Sequence, residues 1–290
     1  MQPEDRALRR PARLSVRLFP AWPGLADRLA RVVEAGARFG YVARAAVYIS
    51  IGGVALLAAL GLAPHAVGAM GALQAWGEWP LGIALLWTAG FGLYAFAAWR
   101  ALQALFDADR LGSEPAALGE RLGKAVSGLV YGALGVSIFG LLDTIEDLHE
   151  VDDQAATQEA VRHALALPWG GPLVIGAGLI VAAVGVGNMV RAVVSHFTGS
   201  LVCEEGVAWC AGSLARVGYF ARGVAMTLAG GVTALAGWNA RASDARGLGG
   251  ALEMLRDVPF GHVFLGLIAL GLIAFGAFGL MKAGLRRIGV

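Results

Sequence analysis

The chain has 290 residues, of which 57% are apolar and 15% are charged, and its formal net charge is +2. Soluble domains usually have roughly 45–50% apolar and about 25% charged residues, so this composition excludes an ordinary soluble protein and favours one that lies in a membrane. The alternating ten-residue segments of a membrane β-barrel are absent. Abundant glycine beside alanine and leucine is typical of packed helices, so the predicted fold class is all-α.

One pattern recurs three times along the chain: Arg-x-Gly, an apolar span, a short outer segment that ends in proline, and a second apolar span. The copies begin at Arg38, Arg121 and Arg216. Each copy continues for about 70 residues, which fits two membrane-spanning helices and their connection. The sequence therefore predicts a polytopic membrane protein whose six transmembrane helices form three tandem two-helix repeats in a pseudo-threefold arrangement.

Residues 1–37 are predicted to form a basic cytoplasmic N-terminal segment with an amphipathic helix. Five arginines come first, and apolar residues then recur along one side of residues 24–37. Such a segment is expected to bind anionic lipid headgroups, or to act only as a topology anchor with a disordered tip. Phe19 and Trp22 are its only aromatic residues. Stacking on bases would need more of them, so no nucleic-acid partner is expected.

The rest of the chain divides into repeats and linkers. Repeat 1 covers residues 38–108, repeat 2 covers 121–198 and repeat 3 covers 216–290, with cytoplasmic linkers at 109–120 and 199–215. In each outer segment, apolar residues spaced by three predict a brief helix at the outer interface, as at Leu73 and Trp76. Pro80, Pro168 and Pro259 are predicted to open the second helices, where a missing N–H costs nothing.

The distribution of charge predicts the orientation. If both termini lie on one side, that side holds 19 of the 23 Lys and Arg residues. The positive-inside rule then places the N- and C-termini in the cytoplasm and the repeats in the cytoplasmic (inner) membrane. Repeat 2 carries extra acids between Asp143 and Asp153. They are interpreted as a solvated acidic loop or as a cation-attracting mouth.

Alignment of the repeats shows which positions recur. The first helices share two glycines, expected where helix backbones approach closely in lipid, and several polar or aromatic positions. The equivalent sets are Gly40, Gly123 and Gly218; Tyr41, Lys124 and Tyr219; Arg44, Ser127 and Arg222; Tyr48, Tyr131 and Met226; and Gly52, Gly135 and Gly230.

This pattern resembles a known family. Gly40-Tyr41-x-Ala43-Arg44, its counterpart at 218–223 and the Asp107-Ala108-Asp109-Arg110 linker are similar to the bacterial domain of unknown function 1206. The resemblance spans roughly residues 36–288. It implies three two-helix repeats in the cytoplasmic membrane, and it implies no reaction. Repeat 2 departs from the pattern with Lys124 and Ser127.

Arg44 and Arg222 are the leading candidates for a binding site, with Lys124 and Ser127 near them. An arginine inside a membrane span is costly, which makes both residues functional candidates, and their repeat-related positions allow the guanidiniums to share one cytoplasmic vestibule. There they are expected to bind an anion, a lipid phosphate or an acidic partner. The alternative is that both arginines extend to the inner headgroups, as is also expected of the cations that end the second helices.

Two further polar residues in the spans are candidates. Asn188 is expected to lie buried between helices, where its amide bridges neighbours. His262, near the outer start of span six, is a proton-relay candidate or an ordinary interfacial histidine. His196, Cys203 and Cys210 are seven residues apart, about 10 Å along a helix, which is too far for ligands of one zinc ion. Catalytic residues, a metal site and a cofactor are not expected.

The sequence thus predicts an integral protein of the cytoplasmic membrane that is not an enzyme and acts as a scaffold or as a lipid- or partner-binding protein. Its partners would be membrane lipids and a membrane protein. The alternative is a channel or transporter with a path along the pseudo-threefold axis. A membrane-embedded enzyme or redox subunit is the third class, for which a ligand set is missing.

Overall fold

The structure is a computed structural model that describes residues 23–77, 82–107, 114–143, 153–195 and 205–285. These ranges hold six helices that are long and apolar enough to cross a membrane, and no strand. The six are α1 (Pro23–Ala59), α3 (Gly82–Leu105), α4 (Pro115–Asp143), α6 (Gly170–Val194), α7 (Glu205–Trp238) and α9 (Gly261–Leu285). The predicted all-α fold is confirmed, and the chain is a multi-pass membrane protein.

A short helix joins the two long helices of each repeat, as predicted. These are α2 (Ala69–Gly77), α5 (Asp153–Leu165) and α8 (Leu248–Glu253), with 3-10 turns at Ala242–Asp244 and Met254–Asp257. Leu73, Val161 and Leu252 occupy equivalent positions and are all buried. Each connection therefore anchors itself by inserting one aliphatic side chain into the bundle.

The prediction that prolines open the second helices is wrong by two residues. α6 and α9 begin at Gly170 and Gly261, after a turn that contains Pro168 and Pro259. The glycines are needed because a Cβ at either one would collide with a carbonyl oxygen of the preceding segment. Pro80 lies outside the described residues. α4 and α7 start within the segments predicted as linkers, so part of each segment is helical.

The long helices pack most extensively between different repeats: α3 against α4, α6 against α7, and α9 against α1. The second set of predicted glycines, Gly52, Gly135 and Gly230, lies in these contacts. A Cβ at Gly52 on α1 would lie 2.7 Å from the carbonyl oxygen of Ala269 on α9. One at Gly230 on α7 would lie 2.6 Å from the carbonyl oxygen of Gly178 on α6. The last helix thus returns to the first, while the pseudo-threefold symmetry itself stays a prediction.

Arginines mark the end of the bundle at which the repeats start. The Arg38 guanidinium at the start of repeat 1 donates to the carbonyl oxygen of Gly284, at 3.3 Å. Arg121 at the start of repeat 2 donates to that of Leu105, at 3.1 Å. Both arginines bind the last turn of a second helix from another repeat, where free carbonyls attract cations. We term this the basal end, and the end that carries α2, α5 and α8 the apical end.

Repeat 2 differs from the others because its hairpin is open. α1 packs against α3 and α7 against α9, whereas the described parts of α4 and α6 make too few contacts to form a packed pair and are joined at the basal end by the Glu120–Arg191 ion pair. In the closed hairpins, a Cβ at Gly40 or Gly218 would lie 2.6 Å from the backbone nitrogen of Phe96 or Phe275. At the equivalent Gly123 on α4, nothing lies within 4 Å.

Candidate functional site: a cationic vestibule

A cavity of about 490 Å³ lies in the basal half of the bundle, between all six long helices. We term it the vestibule. Every long helix contributes one cationic side chain to its lining, and Glu120 is the one carboxylate in the described lining. The six cations are Arg44 (α1), Arg100 (α3), Lys124 (α4), Arg191 (α6), Arg222 (α7) and Lys282 (α9). The described wall of the cavity is therefore strongly electropositive.

The lining is assembled from repeat-equivalent positions. On the first helices, two equivalent positions line the cavity: those of Tyr41 and Arg44, which lysine and serine occupy in repeat 2. On the second helices, positions are equivalent when they lie the same number of residues after the proline of their repeat. The lining members are Tyr41, Lys124 and Tyr219; Arg44, Ser127 and Arg222; Arg100 and Asn188; and Gln103, Arg191 and Lys282. Four positions repeated along the chain thus meet at one place in the fold.

Two tyrosines connect the innermost arginines. Arg44 Nε donates to the Tyr131 hydroxyl at 3.0 Å, and that hydroxyl donates to the Tyr48 hydroxyl at 3.0 Å. Arg222 Nε donates to the Tyr48 hydroxyl at 2.7 Å. The tyrosines thus hold both guanidiniums across three helices. Because phenol oxygens are neutral acceptors, they fix the position of the charges without cancelling them.

Aromatic faces surround the same arginines. The Arg44 guanidinium carbon lies 4.6 Å from the ring centroid of Phe275 and 5.2 Å from that of Phe96. That of Arg222 lies 5.2 Å from Phe275. Cation–π attraction is worth about 2 kcal/mol when the pair is desolvated, which offsets part of the cost of burying a guanidinium. The two phenylalanines occupy equivalent positions in repeats 1 and 3.

The charges of the vestibule are not balanced. Glu120 lies 3.3 Å from Lys124 Nζ and 3.3 Å from an Arg191 nitrogen. In the described part of the chain, neither Arg44 nor Arg222 forms an ion pair with a carboxylate. Two like charges about 5 Å apart repel by roughly 3 kcal/mol at an effective dielectric constant of about 20. Such a cluster favours an anion in the cavity.

The structure brings together most of the residues that the sequence singled out. Arg44, Arg222, Lys124 and Ser127 all line the vestibule. Arg44 is only 9% exposed and bonds to Tyr131 inside the bundle, so extension to the headgroups does not describe it. Such inward contacts arise because aromatic faces and hydroxyls are available between the helices.

Asn188 and His262 lie at different places. Asn188 is buried, as predicted, lines the vestibule, and donates to the Met226 sulfur at 3.7 Å. His262 is exposed near the apical start of α9 and is not part of the described vestibule lining. The proton-relay interpretation of His262 stays a prediction without a neighbouring site to support it.

Sequence reasoning missed three cationic residues of the vestibule. Arg100, Arg191 and Lys282 were interpreted as interfacial cations, yet all three line the cavity. Their positions relative to the prolines held the signal, because the same face of each second helix carries them. Gln103 is another missed residue and is 1% exposed.

A second cavity, of about 530 Å³, continues from the vestibule along the open hairpin of repeat 2. We term it the lateral groove. The two cavities share four lining residues, which are Gly123, Ser127, Val184 and Arg222. The groove runs between α4 and α6 towards the apical end, where Thr157, Arg246 and Leu248 line it. Most of its remaining lining is aliphatic.

No group of three or more His, Cys, Asp or Glu side chains suited to a metal ion occurs in the described ranges. Cys210 is exposed, while His196 and Cys203 lie outside those ranges. The extra acids of repeat 2 also fall there, except for Asp143 and Asp153 at the adjoining helix ends. The absence of a metal site and of a catalytic group stays a prediction.

Comparison with known proteins gives one family and one relative. The sequence model of the family described as Domain of Unknown Function (DUF1206) matches residues 39–107, 122–195 and 217–286. These matches coincide with the three repeats. An uncharacterized protein of Bacillus subtilis (strain 168), YxxB, is 30% identical over 264 residues, which is 84% of this chain and 88% of the relative. No solved structure matches.

Proposed function

The chain belongs to the DUF1206 family, and we propose that it is a non-enzymatic protein of the cytoplasmic membrane that binds an anionic group in the vestibule. Binding would serve a role as a scaffold or as a lipid- or partner-binding protein. The proposal includes cytoplasmic termini, which the bias of Lys and Arg towards the basal end supports. The vestibule would then face the cytoplasm and the inner-leaflet headgroups.

One observation carries the proposal: each of the six long helices directs a cation into one cavity whose described lining holds a single carboxylate. A phosphate or carboxylate would satisfy several of these donors at once. Guanidinium groups suit such anions because their planar N–H donors match two oxygens of the ligand. Tyr48 and Tyr131 keep Arg44 and Arg222 in position before an anion arrives, which lowers the entropic cost of binding.

The pseudo-threefold arrangement is part of this proposal. Support comes from equivalent positions on the three repeats, which line the same cavity. Further support comes from the packing of each first helix against the second helix of another repeat. The anion would lie near the pseudo-axis.

The proposal is tested with Arg44→Gln/Arg222→Gln, measured as equilibrium binding of radiolabelled glycerol 3-phosphate to protein purified in a neutral detergent. Hydrogen bonds to charged groups contribute about 1.5–3 kcal/mol each, so loss of two weakens binding by about 100-fold or more. Arg216→Gln is the matched control, because Arg216 is exposed on the same helix as Arg222 and does not line the vestibule. Equal binding by both variants, or none by the unchanged protein, contradicts the proposal.

Transport is the second candidate, and the continuity of the two cavities favours it. A channel or transporter would move the anion along the path from the vestibule past Arg222 into the groove. α6 is continuous through Gly185 and Gly187, so the broken helix typical of many transporters is not present there. Saturable uptake of glycerol 3-phosphate into proteoliposomes would favour transport over binding alone.

A further inference from the structure

We propose that the ligand is an anionic lipid whose headgroup occupies the vestibule while one acyl chain lies in the lateral groove. This inference rests on the proposed function, because it assigns the chemical class of the anion that the vestibule binds. It adds a second binding element, the groove, and an entry route from the bilayer through the open hairpin of repeat 2.

The groove is chemically suited to a hydrocarbon chain. Its walls include Val130 and Leu134 on α4 and Ile180 and Val181 on α6. Ser137 is one of its few polar residues, and its hydroxyl already donates to a carbonyl of its own helix at 3.1 Å. The middle of the groove thus offers a ligand little beyond aliphatic surface, which favours an apolar occupant.

Thr233 on α7 also lines the groove and, like Ser137, has a hydroxyl that bonds within its own helix. Its hydroxyl donates to the carbonyl oxygen of Ala229 at 2.8 Å. With both hydroxyls satisfied inside their own helices, a polar molecule in this part of the groove would lose hydrogen bonds to water without replacing them. An acyl chain loses none.

The groove is open towards the lipid. Val130 is 59% exposed and Ile180 is 57% exposed, and they stand on opposite walls. α4 and α6 are also the least buried of the six spans, with 28% and 22% of their residues inside the bundle against 39–44% for the others. A chain can therefore enter sideways between the two helices without separating any packed pair.

The groove is also long enough to hold an acyl chain. Its lining on α4 extends from Gly123 to Ser137. Fourteen residues of helix rise roughly 21 Å, which exceeds the roughly 15 Å of hydrocarbon in one leaflet. A chain that starts at the shared residues of the vestibule would thus lie in the groove along its whole length.

Charge and apolar surface together select the occupant. The basal end of the groove meets Arg222 and the vestibule, and the stretch between it and Arg246 at the apical end is mostly aliphatic. A free phosphate matches the first part only, and an apolar helix of another protein matches the second part only. A lipid with an anionic headgroup matches both.

The test uses Ala133→Trp, which places a bulky ring inside the groove, with Val136→Trp as its matched control. Ala133 lines the groove, whereas Val136 lies on the same helix, is 59% exposed and does not line it. Native mass spectrometry would measure the retention of dioleoyl phosphatidylglycerol, with dioleoyl phosphatidylcholine as a probe that has the same chains and no net charge. Excluding two methylene groups weakens binding roughly tenfold.

We expect phosphatidylglycerol to bind the unchanged protein and Val136→Trp equally, and Ala133→Trp about tenfold more weakly. Val181→Trp fills the groove from the opposite wall, and it serves as a second test in case Ala133→Trp does not fold. If both groove variants retain phosphatidylglycerol fully, or phosphatidylcholine binds as tightly, the inference is overturned. Binding of glycerol 3-phosphate separates failure of this inference from failure of the proposed function. If the protein binds glycerol 3-phosphate but the groove variants retain phosphatidylglycerol fully, only the lipid assignment is overturned. If the protein binds neither glycerol 3-phosphate nor phosphatidylglycerol, the proposed function is overturned as well.

Discussion

At the scale of single residues, the vestibule shows how a membrane protein keeps guanidinium charges unneutralised. Arg44 and Arg222 bond to tyrosine hydroxyls and face phenylalanine rings, so neither needs a carboxylate among the described residues. A carboxylate partner would lower the cost of burial but would also remove the positive charge. Neutral partners stabilise the arginines while leaving them able to bind an anion.

The equivalent glycines give a prediction at this scale. Gly218→Ala should lower the melting temperature, because its Cβ would lie 2.6 Å from the backbone nitrogen of Phe275. Such overpacking costs roughly 1–3 kcal/mol. Gly123→Ala should leave the melting temperature unchanged or raise it, since the position is open and alanine favours a helix by up to about 1 kcal/mol.

Thermal unfolding in detergent, followed by tryptophan fluorescence, would measure both variants. The gain in helix propensity is the same for both substitutions, so their difference isolates packing. Equal melting temperatures would contradict the closed hairpin of repeat 3.

At the scale of the elements, two positions explain why one hairpin is open. In repeats 1 and 3, Tyr41 meets Phe96 and Tyr219 meets Phe275 edge to face, with ring centroids 5.3 and 5.1 Å apart. In repeat 2 the equivalent residues are Lys124 and Val184, which line the vestibule instead. An aromatic pair contributes about 0.5–1.5 kcal/mol beyond its buried area, so its loss removes an important contact between the two helices.

Restoring the aromatic pair should close the hairpin. In Lys124→Tyr/Val184→Phe, we expect α4 and α6 to approach by a few ångström, because ring centroids pack about 5–7 Å apart. Spin labels at the exposed Leu129 and Leu179, in a background without native cysteines, would measure the distance by pulsed electron paramagnetic resonance.

Val184→Leu serves as the control, since it enlarges the side chain by one methylene group without a ring. A distance distribution that is the same in the control and the double variant would show that other contacts keep the hairpin open. Closure should also reduce retention of phosphatidylglycerol.

At the scale of the whole molecule, the chain closes on itself. α9 packs against α1 more extensively than α3 packs against α4, so the first and last helices are neighbours. The only consecutive pair of long helices that is not packed is α4 with α6, within the described residues. The ring is thus complete except at repeat 2, where the groove opens.

A disulfide can test this closure. A Cβ at Gly266 on α9 would lie 3.7 Å from the Cβ of Ala59 on α1, close to the usual separation of about 3.8 Å in a disulfide. We expect Ala59→Cys/Gly266→Cys to cross-link on mild oxidation, in a background where Cys203 and Cys210 are replaced by serine. The cross-link should change mobility on a denaturing gel until a reductant is added.

A pair across the open hairpin, Leu129→Cys with Leu179→Cys, is the control and should stay unlinked, because both residues lie on helices that do not pack together. Failure of the first pair to cross-link, or equal linking of both, would argue against the ring.

The sequence by itself determined that the protein lies in a membrane, how many times it spans the membrane, and that its spans are repeated in pairs. Long apolar stretches and recurrent Arg-x-Gly positions depend only on local composition and spacing, and a membrane allows few folds for them. It also identified Arg44, Arg222, Lys124 and Ser127 as equivalent or neighbouring positions. What it could not decide was the direction of the side chains, because that depends on how each helix rotates about its axis when it packs.

Only the tertiary structure decided that Arg100, Arg191 and Lys282 face the same cavity, and that Tyr48 and Tyr131 join the arginines. These contacts are between residues far apart in the chain, so no local pattern specifies them. The open hairpin of repeat 2 likewise depends on contacts that no local pattern specifies. The sequence contains Lys124 and Val184, but it does not show that α4 and α6 fail to pack. That became clear only from the closed hairpins, whose contacts Lys124 and Val184 cannot make.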